Sequence, residues 1–571
     1  MSSLYLLICR SSRCTNGTNE WIAISYIGNP QPILSDSFFL LQSQFLFMSC
    51  LLPSLVPIAA LLCTASAALY DQKITTSYGP VQGYAAFNSS PAGVNLEHWK
   101  DIAVWKGIPF AATTGGNNRF KAPQPVTPWN TTFAAQDFGP VCPQTFRAVP
   151  DGYTDSEDCL SLNIWSAANS TDAKLPVVMW SYPAMSSARD ALFDGGGMAD
   201  KGVVFVNYNY RNGIFGWLAH PWLSAEMNET HNTNSSGNWA ILDQNAALNW
   251  IVENIATFGG DPEHITVMGQ SAGSAATYHI VNSPLTKGLI VGAIIESGVR
   301  DPKDPMSASL AENYRSLDSA LETGVSYVSD YNVTSLAELR ALNYTTFAQG
   351  DGFGAVLDYY AVPDTYMNTL INGAANNVPI LTGNTRDESG ATYGLNISLA
   401  TYLADMNTTF GDWADEFLTI YSANDSTSAS AAYNRQWSDR SAVGTWLWSQ
   451  LWATASDKPV YNYFWDHAPP GQTQGAYHES EINYVLNNLY DTDLPWVAED
   501  YEIASTMNAY WVNFIKTGNP NGGNLTYWPA SNANNSAVQE VGDGWGQTSL
   551  AISKEAVTLI EKWFDSLETV Y

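Results

Sequence analysis

The residues best suited to chemistry are a serine held between two glycines, Gly269-Gln270-Ser271-Ala272-Gly273. The apolar run before it, residues 264–268, reads as a strand, and residues 275–281 after it read as a helix. A serine on so sharp a turn is pushed clear of the backbone. The glycines leave space where a Cβ would collide with the neighbouring chain. The hydroxyl lies at a helix N-terminus, whose partial positive charge favours a developing oxyanion. The N–H of Ala272, the next residue, is one expected oxyanion donor. That chemistry is nucleophilic acyl transfer. Taken alone, the pentapeptide also fits a glycine-rich turn with an idle serine.

A serine hydroxyl needs a base within hydrogen-bond reach, and the base needs an acid to hold its tautomer. In the α/β-hydrolase arrangement these follow in the order Ser, Asp or Glu, His. Only His279, His467 and His478 come after Ser271. His279 lies two turns along the helix that follows the serine and reads as a packed helix residue. His467 ends the last strand, and His478 lies in the loop beyond it. Loops at the carboxyl ends of strands are where such sheets place chemistry, so spacing favours His478 over His467. Asp387 and Glu388 both stand just past a strand end, and spacing does not choose between them. The bland alternative is a pair of solvated surface acids.

The elements that must position these groups alternate. Residues 176–180, 203–208, 292–296, 378–382 and 460–465 are apolar, β-rich runs, as expected of strands buried on both faces. Residues 241–257 read as a helix with Ile241, Leu248, Ile251 and Ile255 apolar, stopped by Gly259-Gly260-Asp261-Pro262. Residues 554–567 read as an amphipathic helix. The Ser/Ala/Asn-rich pieces 422–434 and 531–537 read as surface loops. Strands alternating with helices predict a mostly parallel central sheet flanked by helices, an α/β class. Length alone suggests three or four domains at about 150 residues each. With no internal repeat and no separating linker, one domain over residues 68–571 is the expectation.

The 571 residues are 45% hydrophobic and 14% charged, a globular composition. Acidic residues number 54 against 24 basic ones, a net charge of −30 that repels nucleic acid and anionic membranes. Residues 1–47 show no periodicity and read as a gene-model extension. Met48 then opens an apolar segment that ends at Ala65-Ser66-Ala67, an A-x-A cleavage site, so 48–67 reads as a signal peptide lacking a basic n-region. If Met1 is the true start, residues 45–69 are long enough for a signal anchor instead. Secretion has separate support in twelve sequons, at Asn88, Asn130, Asn169, Asn228, Asn234, Asn332, Asn343, Asn396, Asn407, Asn424, Asn524 and Asn534. Beyond residue 67 only Cys142 and Cys159 remain, and an isolated pair in a secreted chain reads as one disulfide. No His or Cys spacing suggests a metal site, and no cofactor is implied.

Many short pieces match one family in order. They include Gly107-Ile108-Pro109-Phe110-Ala111, Glu157-Asp158-Cys159-Leu160, Asn209-Tyr210-Arg211, Gly237-Asn238-Trp239, Phe258-Gly259-Gly260-Asp261-Pro262, the serine pentapeptide, Tyr477-His478, Glu481-Ile482 and Thr517-Gly518-Asn519-Pro520. Across roughly residues 75–565 the chain resembles the type-B carboxylesterase/cholinesterase family. Its overall look is similar to secreted fungal carboxylesterases, some of them in secondary metabolism. The resemblance implies an α/β-hydrolase fold and a Ser-Glu-His triad: Ser271 as nucleophile, Glu388 (from Asp387-Glu388-Ser389-Gly390) as acid and His478 as base. It pairs Cys142 with Cys159 as the family's first disulfide. It also places Ser297, in Glu296-Ser297-Gly298, near the acid.

Two departures matter. After the strand Pro-Val-x-x-Trp the family carries His- or Tyr-Gly-Gly-Gly, whose later glycine N–H groups line the oxyanion hole. Here the residues are Tyr182-Pro183-Ala184-Met185. Proline has no N–H, but it fills the first glycine position, a shaping one. Ala184 and Met185 still offer N–H groups, while their side chains enter space glycine leaves empty and resist positive φ. A lost donor costs roughly 10²–10³ in rate. The loop from Cys142 to Cys159 is short and holds no tryptophan, which argues against a choline ester.

The leading expectation is a secreted serine hydrolase of a small or medium ester or lactone, with a small-molecule partner and no stable membrane insertion. The alternatives are a catalytically impaired cholinesterase-like binding protein and a lipase of the same fold.

Overall fold

The computed structural model describes residues 68–144, 149–309, 313–348, 350, 352–388, 396–534 and 537–570. The extension, signal peptide and anchor expected within 1–67 lie outside the described residues, as do Ser389 and Gly390.

One sheet of eleven strands organises these residues. In chain order the strands are β1 (Tyr84–Ala85), β2 (Ala103–Pro109), β3 (Ser161–Ser166), β4 (Leu175–Ser181), β5 (Val204–Tyr208), β6 (Gly260–Gln270), β7 (Gly292–Glu296), β8 (Ile380–Thr385), β9 (Val460–Trp465), β10 (Ala537–Val541) and β11 (Trp545–Ser549). In space they run β11-β10-β9-β8-β7-β6-β4-β5-β3-β2-β1. The run from β5 to β10 is parallel and the outer pairs are antiparallel. Every residue of β5, β7 and β8 is buried, which is why their apolar residues stand side by side rather than alternating with polar ones.

The chain leaves β4 for β5 on one side and returns to β6 on the other. Such a reversal opens a crevice at the carboxyl ends of the strands. The register brings those ends level: Ser181 pairs with Gly269, Gln270 with Glu296, Glu296 with Gly383, and Thr385 with Trp465.

Helices α1 (Trp239–Asn254), α2 (Ala272–Asn282), α3 (Ser426–Ala455), α4 (Ala498–Thr517) and α5 (Lys554–Asp565) are the main ones. After α1 a short 3-10 turn ends at Gly259, whose φ of 81° stops the helical path. Residues 422–434 are a correction: from Ser426 the chain is the first part of α3, not a loop. Asp425 accepts from Ser428 N at 2.8 Å while the Ser428 hydroxyl reaches back to Asp425 N, a capping box. Alanine-rich sequence then favours helix, and Ala429 is fully buried. In 531–537, β10 already begins at Ala537.

Cys142 and Cys159 are disulfide-bonded and buried. The asparagines of all twelve sequons are exposed. Among the described residues no helix is long and apolar enough to cross a membrane.

Candidate functional site

Ser271 stands at the carboxyl end of β6 as the N-cap of α2, with φ 54° and ψ −120°. A non-glycine residue held there costs about 1–3 kcal/mol and must be over-determined by its surroundings. Its N–H donates to Glu296 O at 3.0 Å, tying the turn to β7. A Cβ at Gly269 would overlap the Gly273 carbonyl, and one at Gly273 would overlap the Ser181 carbonyl. The glycines therefore let α2 start against β4. Ala272 N–H is one of the first-turn amides that no intrahelical carbonyl can accept.

The acid and base come from the next two loops. Asp387 and Tyr477 form an isolated parallel bridge, closed by Asp387 N donating to Ala476 O at 3.0 Å. Asp387 is spent on structure: it accepts from Ala476 N at 2.8 Å and Asn434 Nδ2 at 2.6 Å, and pairs with Arg386 at 3.0 Å. Glu388, one residue on, therefore faces His478, with Oε2 2.8 Å from Nδ1. Its other oxygen accepts from Thr385 N at 3.0 Å. Of the two acids that spacing left open, Glu388 is the one in contact with His478. His467 is engaged elsewhere, 2.6 Å from Asp543 and 3.0 Å from Asp500. His279 lies within α2, its Nδ1 2.8 Å from the Tyr366 hydroxyl.

Burial alone would raise the Glu388 carboxyl. The His478 charge and hydrogen bond, then Arg300 and the Ser297 hydroxyl, outweigh it and bring the group down to about 2. Burial would lower the His478 imidazole, but Glu388, helped by Glu481 and Glu479, raises it to about 9. Ser297 is buried at φ 51° beside this pair. No hydrogen bond joins Ser271 Oγ to His478 among the described residues. His478 Nε2 lies 3.5 Å from Gln270 Nε2. Catalytic contacts of this kind often tighten only with substrate bound.

Two buried acids beside these residues escaped the sequence reading. Glu296 and Glu481 are fully buried behind the serine and histidine. Burial raises Glu296 to about 8, although Trp511 Nε1 donates to it at 2.6 Å. Burial, reinforced by the neighbouring Glu296 carboxylate, holds Glu481 well above the usual carboxylate range. The Glu-Ser-Gly and Tyr-His-x-x-Glu strings carry both acids, but nothing local marks them as buried together.

The segment after β4 is fixed at its first residue. Tyr182 stacks on Tyr210 with ring centroids 4.5 Å apart, and Tyr182 O accepts from Tyr210 Oη at 2.8 Å. Ala184 and Met185 then reach solvent. Met185 takes φ 61° despite its side chain. Ala184, Met185 and Ala272 together line one wall of a cavity of about 480 Å³. Among the described residues no group of three or more His, Cys, Asp or Glu side chains is gathered to hold a metal ion.

The profile of the Carboxylesterase family matches residues 70–559. The Fumonisin B1 esterase of Sphingopyxis macrogoltabida is 34% identical over 447 residues, 75% of this chain and 81% of that protein. The para-nitrobenzyl esterase of Bacillus subtilis (strain 168) is 30% identical over 485 residues, 80% of this chain and 92% of that one. A solved structure of a PNB esterase superposes with a TM-score of 0.67 at 27% identity, covering 86% of this chain and 99% of its own.

Proposed function

The chain belongs to the Carboxylesterase family and is a carboxylic-ester hydrolase of the α/β-hydrolase fold, and from that premise we propose that it works through Ser271, His478 and Glu388. The observation that carries this reading is the 2.8 Å contact of Glu388 with His478 Nδ1 at the strand ends where Ser271 is exposed by its strained turn. Ser271 attacks the ester carbonyl as His478 Nε2 takes its proton. Glu388 holds the proton on Nδ1 and stabilises the imidazolium. Ala272 N–H, with those of Ala184 and Met185, receives the oxyanion. His478 returns the proton to the leaving alcohol. Water then cleaves the acyl-enzyme by the same steps, with Ser271 as leaving group. For this to run, Ser271 Oγ must turn to His478 and displace the Gln270 amide.

The proposed substrate is a small or medium ester or lactone. One relative's name gives it a fumonisin ester as substrate, and another's a para-nitrobenzyl ester. Passage through the secretory pathway is supported by the A-x-A pattern and by twelve exposed sequon asparagines. A fungal setting in secondary metabolism rests on the overall resemblance alone.

The test uses a fluorophosphonate probe and p-nitrophenyl butyrate on wild type and Ser271→Ala. Wild type is expected to label and turn over, and the variant to lose both, with a rate loss of about 10⁴-fold or more. Folded wild type that neither labels nor hydrolyses would favour the binding-protein reading instead, with Ala184 and Met185 as the reason.

A further inference from the structure

Helix α3 reaches the acid–base wall at two points. Asn434 Nδ2 donates to Asp387 Oδ1 at 2.6 Å, one residue before Glu388. Two helical turns later, Ser441 Oγ accepts from Arg300 Nη1 at 2.7 Å. Arg300 stands just past the end of β7, and Glu388 just past the end of β8. Those strands are parallel neighbours, and Ser297 N–H extends their pairing by donating to Gly383 O at 2.9 Å. The two loops therefore leave the sheet side by side. The Arg300 loop is fastened to α3 on both sides of the arginine. Thr445 Oγ1 donates to Val299 O at 2.9 Å, and Asp301 N to Gly444 O at 2.9 Å.

The guanidinium is thus a fixed charge. Arg300 is 5% exposed. Its ion pair with the buried Asp304 is loose, at 3.7 Å, and Asp304 is shared with the equally buried Arg440 at 3.4 Å. Asp301 lies on the same turn. Both Glu388 oxygens are taken, by His478 and by Thr385 N, and no ion pair joins Glu388 to Arg300 among the described residues. Arg300 acts on Glu388 across space instead, in a buried setting where water and salt screen little. After His478, it is the charge that lowers the Glu388 carboxyl most, with the Ser297 hydroxyl adding to it. Tyr463 and Glu481 feel the Glu388 charge in turn, and His478 is faced by Glu388, Glu481 and Glu479. An imidazole held too firmly by these acids stays charged, and a charged imidazole accepts no proton from serine.

We propose that Arg300 is a positioning residue for ester hydrolysis, a positive charge that helix α3 holds beside Glu388 to moderate the pull of that carboxylate on His478. The proposal rests on the Ser271–His478–Glu388 reading above. Its test is the pH profile of kcat/KM on p-nitrophenyl butyrate. In Arg300→Gln the rising limb should move to higher pH by about half a unit, opposite to the move expected of Glu388→Gln. Below the limb, kcat/KM should fall about threefold. Arg300→Lys restores the charge and should bring the limb back toward wild type. A merely structural arginine would lower Tm and rate and leave the limb in place, and that result would overturn the proposal. So would a shift of the same size for Arg300→Gln in a Glu388→Gln background, since the charge would then not act through Glu388. Should Arg300→Gln fail to fold, Ser441→Ala frees the guanidinium without removing it. A limb raised by a smaller amount in that variant supports the proposal, and an unmoved one sinks it. If Glu388→Gln itself leaves the limb unmoved, the triad reading fails and takes the proposal with it. A limb that moves in Glu388→Gln but not in Arg300→Gln removes Arg300 alone.

Discussion

On the side of Ser271 that faces β8 and β9, Glu388 is 1% exposed and both of its oxygens are bonded, one to His478 and one to the backbone of Thr385. On the side that follows β4, Met185 is 57% exposed and holds a positive φ. The first wall is locked by the Asp387–Tyr477 bridge and by the Asp387 contacts behind it. The second is anchored by Tyr182, stacked on Tyr210, and past the buried Pro183 it opens to solvent at Ala184 and Met185. In the proposed mechanism the two walls address the same reacting carbon under different constraints. Proton transfer demands one fixed distance in a dry setting, so its parts are buried and doubly tethered. The oxyanion segment also borders the substrate cavity, so its side chains face open space and can vary without disturbing the core.

That contrast is broken most severely by Glu388→Gln. We expect kcat/KM to fall by about 10³–10⁴-fold, because the imidazole loses the group that fixes its tautomer. The base must be neutral to act, and Glu388 raises His478 to about 9. Wild-type kcat/KM should therefore climb into the alkaline range, and in Glu388→Gln the rising limb should move to lower pH. An unmoved limb would mean that Glu388 does not govern His478. The same pair also affects stability. The part owed to Glu388 is present above the usual value of 4.5 and is lost as pH falls toward about 2. The part owed to His478 is present below 6.5 and is lost as pH rises through about 9. The gap in Tm between wild type and Glu388→Gln should therefore be widest between pH 4.5 and 6.5.

A smaller effect is expected from removing the disulfide. The loop it closes touches the segment after β4: Gln144 Nε2 donates to Ser186 O at 3.1 Å. The double variant Cys142→Ser/Cys159→Ser should lose about 3 kcal/mol in chemical denaturation, from the freed chain entropy. Below its Tm it should keep the wild-type pH profile, since the acid–base wall does not depend on that loop. A displaced profile would show that the two walls are coupled.

The mildest change is Met185→Gly. Glycine takes positive φ without strain but adds freedom to the unfolded chain, so stability should move by no more than about 1 kcal/mol. Hydrolysis of esters with bulky acyl groups should rise by about tenfold as the side chain leaves the cavity wall, with little change for acetyl esters. Equal change for both would place the effect in the oxyanion donors rather than in space.

Much of this was legible in the chain. Strands β7 and β9 fall on the residues expected of them, because a segment buried on both faces is mostly apolar along its length. The glycines around Ser271 announced a sharp strand-to-helix turn, and Ser271 caps α2 there. Residues 422–434 misled because Ser and Asn suit loops and caps alike, and only the Asp425–Ser428 box commits them to α3. The positive φ of Met185 was not expected from its side chain, since the surrounding segment, not local preference, sets that angle.

Residue types and order along the chain determined the kind of chemistry and the candidates for each role. They could not choose between Asp387 and Glu388, which are adjacent in sequence and equal in charge. That choice was made when β8 and β9 came level and the Asp387–Tyr477 bridge turned one acid into structure and the other toward His478. Nor could order alone reveal that helix α3 brings Asn434 to Asp387 and Ser441 to Arg300. Charge and hydrogen-bonding capacity are written into a sequence. Whether they are neutralised depends on which groups, far apart in the chain, are packed within a few ångströms, and only the tertiary structure decides that.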